Sequence, residues 1–206
     1  MQIDPTTIPP REVYNRMVSI IVPRPIAWVS TMSVDGVTNI APFSFFTGIT
    51  SLPPTLVFCV GNKRGGVPKD TAANILATKQ FVINVVPFSY TEKMVQTSAS
   101  YPPDVSEFTV VDLQTVPAVR VKPPRVKGVP VAIECELYKC IPIEASPGRV
   151  TSRMIIGQIK LFHIDDEVLD ENNAIDPQKL DLVSRLGGPY YAKIGKPFSV
   201  PRPPKV

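Results

Sequence analysis

The stretch Arg24–Asn74 reads RPIAWVSTMSVDGVTNIAPFSFFTGITSLPPTLVFCVGNKRGGVPKDTAAN. Three apolar segments, Ile26–Met32, Ile40–Phe46 and Thr55–Val60, are punctuated by Asp35-Gly36 and by Pro53-Pro54, and a loop rich in Gly and Lys follows. Pro23 and Pro25 impose an extended entry, because proline restricts its predecessor to β or polyproline geometry, and IAWVSTM is rich in strand formers. Asp35-Gly36 signals a tight turn, so TNIAPFSFF should return antiparallel to the first strand. Pro42 cannot donate to a ladder and marks an edge or a bulge, where a bound ring system could use the freed backbone groups. Thr55–Val60 reads as a buried strand. The stretch is taken as the wall of a ligand pocket.

Beyond Val60, Asn62–Pro68 suits neither helix nor strand for long, and Asp70 offers an N-cap before a helix over 71–78. The loop thus delivers Lys63, Arg64 and Lys69 beside a helix start. First-turn amides lack intrahelical partners and the helix dipole favours an anion, which makes a phosphate site. A solvated basic loop capping a helix is the alternative reading of the same residues.

Outward from this stretch, Val13, Met17, Ile20 and Ile21 recur at helical spacing and predict a short helix packed across the strands. Gln80–Val86 is a further strand, and Ser89 and Glu92 have capping-box spacing for a second helix. A short strand is expected near Pro117–Val121. Val131, Ile133, Cys135 and Leu137 alternate with Ala132, Glu134, Glu136 and Tyr138, a half-buried strand whose two glutamates should face solvent. Ser152–Ile164 is the last long strand, where Gly157 invites close approach of a backbone or a flat ligand. His163 is the only histidine, so histidine acid–base chemistry rests on it, the alternative being a satisfied imidazole. Asp176-Pro177 should open a helix through Val183, and a proline-rich tail should lie extended over a surface or a partner subunit.

Composition bounds the function. At 206 residues, 44% hydrophobic and 19% charged, the chain suits one soluble domain, although its 24 prolines exceed the usual ~5%. The net charge of +4 is scattered, which argues against nucleic acid as the main partner. Cys59, Cys135 and Cys140 form no CxxC pair, and with one histidine there is no ordinary zinc site, so no metal is expected. The thiols read as small core residues in a reducing compartment. The start has no leader-like apolar region and no run of about 18 apolar residues occurs, so a cytoplasmic, non-membrane protein is expected. There is no GxGxxG, Walker loop or GxSxG, so any nucleotide is held by another kind of cradle. The order of elements is that of a mainly β protein, a barrel with peripheral helices.

RPIAWVST, DG, NIAPFSFF, the PP before TLVF, and KDTAANI, in this order, resemble the flavin reductase-like family with the FMN-binding split-barrel fold. The match is to the branch that contains flavoredoxin and component B of nitrilotriacetate monooxygenase. FVINVV, EFTVVDL, VAIECEL, MIIGQIKLFHIDDEVLD and SRLGGPYY extend it over about residues 10 to 195. The resemblance implies one domain over 1–206, with a lead-in (1–18) and a tail (about 196–206), that forms a homodimer and binds FMN. It further implies an NAD(P)H-dependent reductase, with NADH or NADPH as co-substrate, that can supply reduced flavin to a separate monooxygenase. An electron-transfer or flavin-storage protein without a nicotinamide site would use the same pocket, and a flavin-free descendant is the third alternative. Position by position, the resemblance puts Ser30 and Thr31 at the strand end that holds the flavin, and Ala41, Pro42, Phe43 and Ser44 along the ring system. Val60, Gly61 and Asn62 match the turn leaving the third strand. Lys69, Thr71 and Asn74 match the segment that holds the phosphate or ribityl chain. Arg185 and Tyr190 match a late motif without an assigned role. His163 is the candidate for orienting the nicotinamide or protonating reduced flavin.

Overall fold

The computed structural model describes residues 1–203. After helix α1 (Pro10–Ile20) come strands β1 (Ala27–Met32), β2 (Thr38–Phe43), β3 (Phe46–Ser51) and β4 (Pro54–Gly61), then helix α2 (Asp70–Thr78) and β5 (Gln80–Val85). Short helices α3 (Thr91–Gln96) and α4 (Glu107–Val110) and short strands β6 (Thr115–Val116) and β7 (Arg125–Val126) precede the long hairpin of β8 (Val131–Ser146) and β9 (Arg149–Ile164). The pair β10 (Val183–Arg185) and β11 (Tyr191–Lys193) follows.

Seven strands form one antiparallel sheet in the order β2-β1-β5-β8-β9-β4-β3. Its opposite edges, β2 and β3, are joined by Ser44 and Phe45 alone. Three virtual bonds reach at most about 10 Å, whereas the edges of a flat seven-stranded sheet lie about 29 Å apart. The sheet must therefore curl until its edges meet, and the N–H of Cys59 on β4 donates to the Phe45 carbonyl at 2.9 Å. The result is a barrel split between β2 and β3. Pro42 lies on the edge strand, as its missing donor requires.

Strand alternation divides the core in two. Ala27 and Val29 of β1 point into the barrel with Phe43, Phe58, Phe81 and Ile155, and α2 closes one end with Ala72 and Ile75. Phe58 stacks at 5.4 Å from Phe43 and 5.5 Å from Phe81. Gly157 makes room for Phe81, since a Cβ there would sit 2.3 Å from its Cζ, so the flat group it admits belongs to the protein's own core. Trp28 and Ile40 point outward under Met94, Phe108 and Val111.

Several local expectations give way to tertiary structure. The run 47–51, read as loop, is β3. Lys69 holds the N-cap position of α2, and Asp70 is its first residue, drawn to Lys63. The helix at Thr91 has no side-chain cap. No strand forms over 117–121; that segment crosses the sheet between β6 and β7. Asp176 accepts from the Gln178 N–H at 2.7 Å and turns the chain toward β10 instead of opening a helix. Of α1, only Val18 is buried, and Ile20 stands 77% exposed. Tail residues 196–203 carry no regular structure; 204–206 fall outside the described residues.

Candidate functional site

A cleft straddles the free edge of β2. Its walls are Asn39, Ala41, Pro42 and Phe43 of that strand, Lys63 and Lys69–Thr71 on one side, and Thr97–Tyr101 with Glu107 on the other. The sequence assembles it by simple means. Pro42 keeps the strand edge unpaired, the Gly-rich turn brings Lys69 and the uncapped start of α2 alongside, and α4 covers the rest of the edge.

Behind the cleft lies a buried polar network. The Thr31 and Thr71 hydroxyls both donate to Asn39 Oδ1, at 3.2 and 2.9 Å, and Asn74 Nδ2 donates to Thr31 Oγ1 at 3.1 Å. Asn39 Nδ2 donates to Glu107 at 2.8 and 2.9 Å, and the Ile40 N–H reaches Glu107 Oε2 at 3.0 Å. Burial pushes the Glu107 carboxyl above its ordinary value; the Ile40 N–H, its own backbone N–H and Asn39 offset part of this, and the charge of Asp70 adds to the rise. Asn39 and Glu107 are the members that sequence reasoning missed. Asn39 shares the inward parity of Ala41 and Phe43, which was a readable signal; Glu107 lies 68 residues away on a four-residue helix, and although it opens the resembling fragment EFTVVDL, nothing there points to its side chain.

The cationic side of the cleft is simpler than the sequence suggests. Lys63 Nζ sits 2.8 Å from both Asp70 oxygens, so its charge is matched. Lys69 belongs to no ion pair among the described residues. Together with the α2 amides that no side chain caps, it is the candidate anion-binding element.

Of the candidates by resemblance, Thr31, Ala41, Pro42, Phe43, Lys69, Thr71 and Asn74 gather at the cleft or in the network behind it. Ser30 lies on the opposite face of β1 from Thr31 and donates to the Pro124 carbonyl at 2.6 Å. Ser44 accepts from the buried Arg24 guanidinium. Val60 is inside the barrel. Asn62 pins the basic turn, donating to Gly66 and Val150 carbonyls at 2.8 and 2.7 Å and accepting from Arg153. Arg185 stacks on Tyr191 at 4.4 Å and donates to the Tyr190 carbonyl, with the Tyr190 side chain exposed.

His163 is placed elsewhere, on the outer face of the sheet. Its Nε2 lies 2.5 Å from Oε1 of Glu134, a fully buried carboxylate, and not on a solvated face as its strand parity suggested. Glu134 also accepts the N–H groups of Val119, Arg120 and Val121 at 2.8, 2.6 and 3.2 Å. Burial pushes this carboxyl up, but the Val119 N–H, His163 and the Arg120 N–H outweigh it and hold it below its ordinary value. An acceptor-only carboxylate requires hydrogen on Nε2. Glu136 does face solvent, in an ion pair with Lys160 at 3.1 Å.

A split antiparallel barrel with a cleft at its unpaired edge defines a class, and the sequence places the chain within it: residues 17–182 match the flavin reductase like domain, and the protein belongs to that family. It is 41% identical over 181 residues to an uncharacterized protein of Aquifex aeolicus (strain VF5), covering 88% of this chain and 89% of that one. It is similar in structure to nitrilotriacetate monooxygenase component B from Bacillus cereus, at 30% identity and a TM-score of 0.93 over 97% of this chain and 98% of that one. Flavoredoxin of Desulfovibrio vulgaris (Miyazaki F), at 22% identity, shares the fold with a TM-score of 0.73 over 87% and 91% of the two chains.

Proposed function

We propose that the protein is an FMN-binding, NAD(P)H-dependent flavin reductase that holds its cofactor at the β2 cleft. The observation that carries the reading is the conjunction of Lys69, the only cleft lysine outside an ion pair among the described residues, with an uncapped helix start on one side of an unpaired strand edge. Bound FMN would supply the hydride chemistry, which is why no nucleophile or metal cluster is required of the chain. Lys69 and the first turn of α2 hold the phosphate, Asn74 and Thr71 border the sugar chain, and Ala41–Phe43 lie beside the ring.

The cleft holds about 90 Å³, room for one end of such a ligand, since sites for whole cofactors run to ~300 Å³ and above. The rest of the cofactor therefore needs cover from another surface, which a homodimer supplies. Ile20, Ile49 and Leu52, 77%, 50% and 88% exposed, are the apolar groups such a pairing would bury. The likeness to a monooxygenase component supports a role in providing reduced flavin to a partner oxygenase.

The test is anaerobic mixing with FMN and either NADH or NADPH. Loss of the oxidised-flavin absorbance at catalytic amounts of protein is expected. Bound flavin without turnover would instead assign an electron carrier or flavin store, and absence of binding would overturn both. Lys69→Ala should weaken FMN by about tenfold and leave riboflavin, which lacks the phosphate, unchanged.

A further inference from the structure

The hydrogen atoms of the network behind the cleft are directed, and the direction originates at Glu107. Its oxygens receive Asn39 Nδ2 and the Ile40 N–H, a set of donors only, which suits a carboxylate and leaves an acid proton nowhere to go. Asn39 must then turn Oδ1 toward Thr31 and Thr71, and both hydroxyls spend their hydrogens on it. Thr31 Oγ1 is buried and also accepts from Asn74 Nδ2, whereas Thr71 Oγ1, on the cleft wall, is left with lone pairs alone.

The strand edge has the same polarity for an independent reason. Ile40 and Pro42 share one side of β2, and the side that faces away from β1 is identified by the Ile40 N–H bonding to Glu107. That N–H is consumed, and Pro42 has none. At these two positions the backbone offers carbonyl oxygens and no donor, and Thr38, of the same parity, lies outside the cleft.

We propose that Glu107 is a positioning residue which, through Asn39, sets the inner wall of the cleft as a row of hydrogen-bond acceptors that recognises the hydroxyls of a ribityl chain. The anion then belongs at Lys69, outside the acceptor row. This rests on the flavin reading above and extends it: the ring lies beside Ala41–Phe43, the hydroxyls against Thr71 and the adjoining β2 edge, and the phosphate against Lys69.

Glu107→Gln tests the direction while keeping the shape. The glutamine oxygen must stay on the Ile40 N–H, so its NH₂ faces Asn39 and forces that amide to flip. Nδ2 then donates to Thr31 and Thr71, the Thr71 hydrogen turns away from Asn39 toward the cleft, and the wall loses its acceptor character at Thr71 while the strand-edge carbonyls keep theirs. Affinity for riboflavin and for FMN should fall about tenfold each, with their ratio preserved, and affinity for lumiflavin, which lacks the ribityl chain, should stay within about twofold. Thr71→Val, which leaves Glu107 and Asn39 in place, should cost riboflavin about threefold. Protonating Glu107 imposes the same flip, so wild-type riboflavin affinity should fall in acid while that of Glu107→Gln stays flat. Asp70, Lys63, Lys69 and Tyr101 are the other ionisable groups around the cleft, and substitution separates Glu107 from them.

Equal losses for lumiflavin and riboflavin, or an acid-side fall that persists in Glu107→Gln, would overturn the proposal. Failure of the wild type to bind any of the three compounds would instead overturn the flavin reading. In that case the Asn39 side-chain amide resonance of the ligand-free protein decides: it should shift with pH in the wild type and hold still in Glu107→Gln, and a resonance indifferent to both removes the lock.

Discussion

Glu107 and Glu134 are both buried carboxylates that accept backbone N–H groups, and they differ in what surrounds them. Glu134 receives three consecutive amides and an imidazole. These donors outweigh burial, and the carboxyl is held below its ordinary value. Glu107 receives one amide and one side chain, beside the charge of Asp70, and burial wins. The first is a saturated clamp that fastens the 117–126 segment to the outer face, helped by Ser30 and by Asn84, which accepts from the Val126 N–H at 2.8 Å. The second is surrounded by donors alone, a setting that suits a carboxylate, yet burial disfavours its charge, so the proposed alignment of Asn39 is held at some cost.

The contrast is broken most forcefully at Glu134. Glu134→Ala strands three amides and should cost about 3 kcal/mol or more in urea unfolding at neutral pH, with flavin affinity unchanged. A loss below about 1 kcal/mol would show that the clamp is not one. His163→Ala removes a single donor from the partly exposed side and should cost about 1 kcal/mol. The same variant decides whether His163 acts on the cofactor, since unaltered turnover with NADH and NADPH confines it to the clamp. The pH dependence of stability sharpens the comparison with the smallest effect. For Glu134, lowered in the folded state, the stabilisation is complete above the ordinary glutamate value and is lost as pH falls through the folded one. For Glu107, raised in the folded state, the contribution is complete below the ordinary value and is lost as pH rises through the folded one. Glu107→Gln should therefore abolish a decline on the rising side only; a decline that survives would move its origin elsewhere.

How legible the molecule was in its sequence follows from the range of the interactions. The β1–β2 hairpin, the edge position of Pro42 and helix α2 are local matters of turn chemistry and proline geometry, and they were readable. Glu134 was misread because strand parity tells which face a residue takes, and not what later covers that face. The helix expected after Asp176 failed because its side chain closes a turn on Gln178 in place of a cap. Barrel closure depends on the opposed edges being two residues apart in the chain, a relation visible only once β3 is known to be a strand. The resemblance picked out Lys69, Thr71 and Asn74, which the fold brings to the cleft or to the network behind it. Glu107, which reaches Thr71 only through Asn39, opens the fragment EFTVVDL that the resemblance covers, but nothing local in that short helix marks its side chain as part of the site.

The two-residue link between the sheet edges also bears on how the chain is made. β4 lies between β3 and β9, with Phe58 opposite Ile155, so its second partner comes almost a hundred residues later in the chain. At ~5–20 residues per second of synthesis, the apolar run Leu56–Val60 waits roughly 5–20 s on the ribosome with one side of its ladder open. A nascent chain whose barrel core is made early and closed last keeps an apolar strand edge open for longer than any local hairpin would.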